Sequence, residues 1–190
     1  MHVAYLAGAP AAAALADEAS VVTACARGER WAQQALYETY FHTLLPVCSR
    51  YAANSSEAMD MLHEAFIKIY RHIGKYQPGT SLGAWMRRLT VNTCIDVYRK
   101  EVRRRTEDID ASFDLSTDEA DAVSRCTERE ILAAIQELTP VYRTIFNLYA
   151  VEGYSHREIA ERLNITESTS RSNLVKARLK LKRALIQLSR

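Results

Sequence analysis

The apolar residues between positions 58 and 73 recur at the spacing of an α-helix, and no other pattern constrains the fold as strongly. They form one stripe on a helix of about four turns. The stripe consists of Ala58, Met61, Leu62, Ala65, Phe66, Ile69, Tyr70 and Ile73. The chain of 190 residues has only 6 glycines and 4 prolines, so it contains few turn formers. The sequence therefore predicts an all-α fold and disfavours a sandwich or barrel of short strands.

Other helical stretches flank this stripe in the first half of the chain. Residues 24–51 predict a helix that we expect to break near Pro46, because proline lacks the N–H that a helix interior needs. After the turn at residues 77–79, Thr80 or Ser81 can cap a helix that runs to about Arg103. Four helices in this part of the chain predict a small bundle.

The last third of the chain has the capping signals of a helix-turn-helix, after helices predicted at 131–138 and 141–150. The helix predicted at 141–150 is preceded by an N-cap residue and a proline at the first helical position. A capping box begins the following helix, and an asparagine occupies the turn after that helix. A threonine then caps the final helix. In chain order these residues are Thr139, Pro140, Ser155, Glu158, Asn164 and Thr166.

The net charge of +2 conceals a strong segregation of charge along the chain. Residues 82–105 carry +5, residues 106–130 carry −7 and residues 154–190 carry +6. Two basic modules joined by an acidic linker explain this pattern. We predict an extension at 1–19, a helical domain at 20–105, a linker at 106–130 and a helix-turn-helix domain at 131–190. The alternative is that the charged runs are only solvated faces.

Helical projection of the final helix separates an apolar face from a polar one. The predicted buried face consists of Ser170, Leu174, Ala177, Leu181 and Leu185. Short polar groups followed by cations on the other side suit a helix whose N-terminal turns enter the major groove of DNA. The candidate residues for reading DNA there are Thr169, Arg171, Ser172, Asn173 and Lys176. The same face would also suit an ordinary amphipathic helix in water.

The helix that begins near Leu82 is apolar on two sides, with a basic stripe between them. This stripe of Arg88, Asn92, Arg99 and Arg103 extends about 22 Å at 1.5 Å per residue, with Asp96 at its edge. It suits a nucleic-acid backbone, and the amide could contact a base. Alternatively, the arginines pair with acids of the linker.

The sequence lacks motifs for catalysis, metal binding and phosphate binding, so we expect no enzyme activity, no metal and no cofactor. Cysteines 25, 48, 94 and 126 lack the spacing of a zinc site, and we expect reduced, packed thiols in a cytoplasmic protein. No apolar run reaches about 18 residues, so we expect no membrane span.

Three blocks of sequence resemble the extracytoplasmic-function (ECF) sigma factors of bacterial RNA polymerase. The first is DMLHEAF at 60–66, followed by Tyr70. The second is WMRRLTVNT at 85–93, followed by DVYR at 96–99. The third is EGYSHREIAE at 152–161, followed by ITESTSRS at 165–172. The resemblance extends over about residues 20–188.

The resemblance implies a role for each block. The first would bind the clamp of core RNA polymerase through Asp60, His63, Glu64 and Tyr70. The second would bind the promoter −10 element as it melts, with Asn92 near a flipped base and the loop at 76–81 forming part of the pocket for that base. The third would read the −35 element as double-stranded DNA.

Two positions of the third block differ from many relatives, which have glycine and valine where this chain has Ser168 and Ser170. A serine on a buried face weakens packing unless its hydroxyl is bonded back to its own helix.

The resemblance also implies partners: core RNA polymerase, promoter DNA and an anti-sigma factor that could be membrane-anchored. Two other interpretations stay open at this point. One is a helix-turn-helix regulator that binds operator DNA without polymerase, and the other is a helical adaptor with no nucleic-acid role.

Overall fold

The structure, a computed structural model, describes residues 18–104 and 127–188. These residues contain no β-strand, and the predicted all-α fold is confirmed. The α-helices are α1 (Glu18–Ala26), α2 (Arg30–Tyr51), α3 (Ser55–His72), α4 (Leu82–Arg104), α5 (Glu128–Gln136), α6 (Pro140–Phe146), α7 (His156–Leu163) and α8 (Glu167–Leu188).

The chain forms two compact units. The first comprises the described residues up to Cys48 together with Met59–Thr93, and the second comprises Ser49–Ala58 together with the described residues from Cys94 onward. Residues 1–17 of the predicted extension and most of the acidic linker lie outside the described residues, as does Cys126, whereas the last two residues of that extension begin α1. The domain boundaries inferred from charge therefore stay a prediction.

The predicted break near Pro46 is wrong, because α2 continues through this proline. The chain turns earlier, at Gly28, whose φ of +80° is adopted readily by a residue without a Cβ atom. Leu44, Val47 and Cys48 are all buried around the proline. Burial on both sides of Pro46 holds the helix together despite the lost hydrogen bond.

The apolar stripe of α3 faces inward as predicted. All its members are buried except Tyr70, which is half-buried. Helix α2 contributes Leu36, Tyr40 and Leu44, which are spaced by four residues and fully buried. Thus the periodicity of the sequence identified the inward face of this stripe correctly, and all of its residues except Ala58 belong to the first unit.

The caps of the helix-turn-helix are confirmed. The Ser155 hydroxyl accepts a hydrogen bond from the Glu158 amide, and the Glu158 carboxylate accepts one from the Ser155 amide. Asn164 adopts the left-handed conformation, with φ 55° and ψ 50°. The Thr166 hydroxyl accepts from the amide of Thr169 at 3.0 Å and caps α8.

Two other helices of this unit differ from their predicted bounds. Helix α5 begins three residues before Ile131, because Thr127 and Glu130 form a capping box of their own. The helix predicted at 141–150 is α-helical only to Phe146 and continues as a π-helical segment, Asn147–Val151. Thr139 occupies the N-cap of α6, but its side chain makes no capping hydrogen bond.

The core of the second unit lies where α5, α6 and α7 meet α8. One buried cluster joins Ala134, Ile135 and Leu138 to the face of α8 that carries Ala177, Leu181 and Leu185. Since the side chains of α8 recur on one face, the last helix is the element against which the three shorter ones pack.

The two N-caps provide a stability test. Ser155→Ala removes a capping hydrogen bond and should lower the free energy of unfolding by about 1 kcal/mol. Thr139→Ala is the matched control and should cost less, because that hydroxyl caps nothing. Denaturant unfolding followed by far-ultraviolet circular dichroism measures both, and equal losses would contradict the assigned cap.

Candidate nucleic-acid interface

Helix α8 separates its two faces as its projection predicts. Ser170, Leu174, Ala177, Leu181 and Leu185 are all buried. On the other side Thr169, Arg171 and Ser172 are exposed, and Asn173 and Lys176 are half-buried. The first turns of α8 therefore present polar and cationic side chains on one accessible surface.

Local hydrogen bonds order the beginning of this surface. The Thr169 hydroxyl lies 2.8 Å from that of Thr166, and Ser172 donates to the carbonyl oxygen of Thr169 at 3.1 Å. The guanidinium of Arg171 pairs with Glu167 one turn earlier, at 2.7 Å, and both side chains are well exposed. A pair so exposed is weak, so Arg171 can exchange its carboxylate partner for a phosphate or a base edge.

The hydroxyl of the buried Ser170 is bonded to another helix, whereas from the sequence we considered only a bond back to its own helix. Its hydroxyl lies 2.9 Å from Nδ1 of His156 on α7. The His156 ring also stacks on Tyr149, with a centroid distance of 4.6 Å. The sequence motifs gave no sign that His156 is the partner of Ser170. A serine predicted to lie on a buried face does, however, imply a hydrogen-bond partner in the core.

The basic stripe of α4 is partly accessible. Arg88 and Arg103 are exposed, while Asn92 and Arg99 are half-buried. The guanidinium of Arg99 lies 3.5 Å from Asp96 and donates a hydrogen bond to the carbonyl oxygen of Arg162 within the second unit. Binding of a nucleic acid to Arg99 would therefore replace existing contacts.

The loop at 76–81 is held by its own hydrogen bonds. The Tyr76 hydroxyl contacts the carbonyl oxygen of Thr80 and lies 3.1 Å from a carboxylate oxygen of Glu18. Burial raises the pKa of Tyr76, so the phenol keeps the single proton that these two acceptors share. Its ring lies 5.8 Å from that of Trp85 at the start of α4, and Gly79 provides a positive φ of +92°. The loop is thus a fixed platform beside α4.

The residues that the first sequence block assigns to polymerase binding do not share one environment. Asp60 and His63 are exposed, and Glu64 is half-buried and pairs with Lys68 at 3.6 Å. The hydroxyl of Tyr70 donates to the carbonyl oxygen of Gln33 on α2 at 2.9 Å. Burial raises the pKa of Tyr70 to about 12, so this phenol stays protonated.

An aromatic cluster lies beside these residues, between α2 and α3. The ring of Tyr37 is 4.7 Å from that of Phe66 and 6.5 Å from that of His63, and Phe41 adds a ring at 5.4 Å from Tyr37. Only Phe66 is fully buried. The exposed His63 ring is therefore stacked on Tyr37 at the solvent side of this cluster.

The possible metal ligands within residues 18–104 and 127–188 are histidines, cysteines and acidic residues. No group of histidine, cysteine or acidic side chains in these ranges could hold a metal ion. Cys25, Cys48 and Cys94 are buried free thiols, and burial raises the pKa of Cys25 to about 11. None of the helices in these ranges is long and apolar enough to cross a membrane.

Comparison with known proteins shows which families two stretches of the chain match. Residues 36–104 match the family described as Sigma-70 region 2, and residues 128–181 match Sigma-70, region 4. The RNA polymerase sigma-H factor of Pseudomonas aeruginosa is 30% identical over 176 residues, which cover 86% of this chain and 91% of that protein.

Two further similarities extend the comparison. The ECF RNA polymerase sigma factor SigE of Mycolicibacterium smegmatis is 30% identical over 138 residues, 70% of this chain but only 53% of that protein. A solved structure of the sigma factor RpoE with the anti-sigma factor NepR, from Bartonella quintana, has a TM-score of 0.46 at 18% identity and covers 81% of this chain and 98% of that one.

The tyrosine that links α3 to α2 provides a second test. Tyr70→Phe removes a partly buried hydrogen bond and should lower the free energy of unfolding by about 1 kcal/mol. Tyr37→Phe is the matched control, because the Tyr37 hydroxyl makes no hydrogen bond in the part of the chain that the structure describes. Urea unfolding measures both, and an unchanged midpoint for Tyr70→Phe would show that the bond contributes nothing.

Proposed function

This chain belongs to the ECF sigma factors of the sigma-70 family, and from that premise we propose that it binds core RNA polymerase and directs transcription to specific promoters. The observation that carries the proposal is the presence of both regions 2 and 4 on one chain, over residues 36–104 and 128–181. A regulator that only binds operators needs a helix-turn-helix but has no use for region 2.

Region 4 would read the −35 element with the N-terminal turns of α8. The helix would enter the major groove, where Thr169, Arg171 and Ser172 meet base edges. Asn173 and Lys176 lie further along and would contact the backbone, which positions the helix without specifying sequence. The exposure of the first three side chains supports this division of roles.

Region 2 would bind the −10 element after its strands separate. Arg88, Arg99 and Arg103 would neutralise phosphates, and Asn92 would contact a base turned out of the stack. Extruding one base costs a few kcal/mol, which the contacts of the pocket must offset. The loop at 76–81 supports the proposal because its hydrogen bonds hold it ready beside α4.

Region 2 would also bind the polymerase, through the α3 surface that carries Asp60, His63 and Glu64. Tyr70 would act from beneath this surface, because its hydroxyl is already occupied by Gln33. In our proposal the chain has no catalysis of its own: polymerase makes the RNA, and the sigma factor chooses where synthesis begins.

The proposed setting follows from these partners. A subunit that binds polymerase and chromosomal DNA acts in the cytoplasm. We also propose that an anti-sigma factor masks the chain until a signal arrives, and that this inhibitor could be membrane-anchored.

Transcription with purified components tests the proposal. The chain, core RNA polymerase and a library of promoter fragments are combined, and initiation sites are mapped by sequencing the transcripts. We expect initiation at a defined set of promoters only when both proteins are present. Tight binding of duplex operators by the chain alone, without any directed initiation, would favour the alternative of a conventional helix-turn-helix regulator. Binding to neither DNA nor polymerase would favour a helical adaptor.

Asn92 allows promoter opening to be separated from polymerase binding. Asn92→Ala should reduce promoter opening about tenfold, because one base contact is worth about 1–3 kcal/mol, while its affinity for core polymerase stays unchanged. Permanganate footprinting measures the melted bases, and fluorescence anisotropy measures binding to core polymerase. An equal loss of both activities would argue against the role of Asn92 at the −10 element.

A further inference from the structure

The bond between His156 and Ser170 connects the two helices of the helix-turn-helix at the edge of the DNA-reading surface. Ser170 is fully buried, and its hydroxyl lies 2.9 Å from Nδ1 of His156. We propose that the His156–Ser170 pair positions α8 in the groove and so determines which −35 bases the chain accepts. This inference rests on the proposed function, since it concerns how region 4 reads the promoter.

The chemistry of the buried hydroxyl fixes the direction of the bond. The hydroxyl has one proton, and among the described residues its partner is the His156 ring. If Nδ1 carried a hydrogen and donated it, the serine proton would be left without an acceptor in the core. We therefore assign His156 as neutral, with the hydrogen on Nε2 and Nδ1 accepting from Ser170.

The surroundings of His156 favour this neutral form. Burial lowers its pKa most, and the guanidiniums of Arg171 and Arg178 lower it further, against an opposing effect of Glu167. The ring cannot turn freely, because it stacks on Tyr149 at 4.6 Å with an angle of 23° between the planes. Nδ1 is thus a fixed acceptor aimed at α8.

The same tyrosine connects to α8 at a second point. The guanidinium of Arg178 lies over the Tyr149 ring at 5.6 Å from its centroid. Helix α8 is therefore held against the stack of Tyr149 and His156 at residues 170 and 178, about two turns apart. These two contacts add directional restraints on rotation and sliding to those that the packed apolar face of α8 already provides.

Restriction of α8 matters for recognition because Ser170 lies between two candidate reading residues. Thr169 and Arg171 project to either side of it and are exposed. Hydrogen bonds to base edges tolerate only small errors in distance and angle. A small rotation of α8 about its axis would move both side chains away from one base pair and toward its neighbour.

Four full-length variants test the pair. His156→Asn places an acceptor oxygen where Nδ1 is, so it should preserve the bond. His156→Gln places its oxygen further out, and Ser170→Ala removes the donor. The pair His156→Leu with Ser170→Val replaces the bond by an apolar contact. Each variant is combined with core polymerase and promoters randomised in the −35 element, and the selected sequences are read from the transcripts.

We expect wild type and His156→Asn to select the same −35 sequences. The other three variants should discriminate about five- to tenfold less between the best site and single mismatches, as the loss of one well-aligned base contact implies. Tyr149→Phe is the control, because it keeps the ring stack and should keep wild-type selection. The thermal unfolding temperature of each variant shows whether a change in promoter selection is caused only by a loss of stability.

Retained selectivity in His156→Gln, Ser170→Ala and the apolar pair, with only a lower unfolding temperature, would overturn the inference and leave the pair a packing feature. Loss of selectivity in His156→Asn as severe as that in His156→Gln would also overturn it, because the acceptor would then be irrelevant.

Nitrogen-15 nuclear magnetic resonance of the free chain tests the geometry without polymerase. We expect His156 to show the neutral tautomer with hydrogen on Nε2, and Ser170→Ala to shift its Nδ1 signal. A protonated ring or hydrogen on Nδ1 would overturn the inference even if initiation is normal. Absence of directed initiation by wild type would instead refute the proposed function and leave the resonance result standing.

Discussion

Helix α8 buries one face against α5, α6 and α7, and the second unit depends on this contact. The three shorter helices have 9, 7 and 8 residues. Helices of this length are not stable alone in water, so they persist by packing on a longer partner. Because only one face of α8 must be apolar for this packing, the residues of the other face are not needed for the core. That second face can then carry the polar groups that we propose contact DNA.

Buried hydroxyl groups of serine and threonine find hydrogen-bond partners in two different ways in this protein. On α4, Thr90 and Thr93 donate to carbonyl oxygens of their own helix, at 3.0 and 2.9 Å. Such bonds satisfy the hydroxyl but do not constrain how α4 meets its neighbours. Ser170 is bonded to a different helix, so satisfying it also fixes a relation between α7 and α8. The difference follows from the histidine opposite Ser170, because an apolar residue there could not accept the proton.

Sequence periodicity predicted the buried faces of α3 and α8 because burial follows from the geometry of a single helix. The caps at Ser155 and Asn164 were predictable for the same reason, and the threonine and glutamate spacing at 127–130 held a further capping signal. Whether α2 survives Pro46 depends on burial around the proline, which a local pattern does not contain. The bond from His156 to Ser170 spans 14 residues and requires the packing of two helices, so no local rule predicts it.

On each of the two faces that we propose to bind DNA, one arginine already has a carboxylate neighbour. Arg171 pairs with Glu167, and Arg99 pairs with Asp96, with all four side chains at least 40% exposed. Exposed pairs of this kind contribute about 0–1 kcal/mol, so a phosphate can displace the carboxylate at little cost. The acids also reduce the positive field of each face, which weakens attraction to random DNA. Tight binding then needs correct base contacts at both elements, and this requirement suits a subunit that must choose promoters among an excess of other sequences.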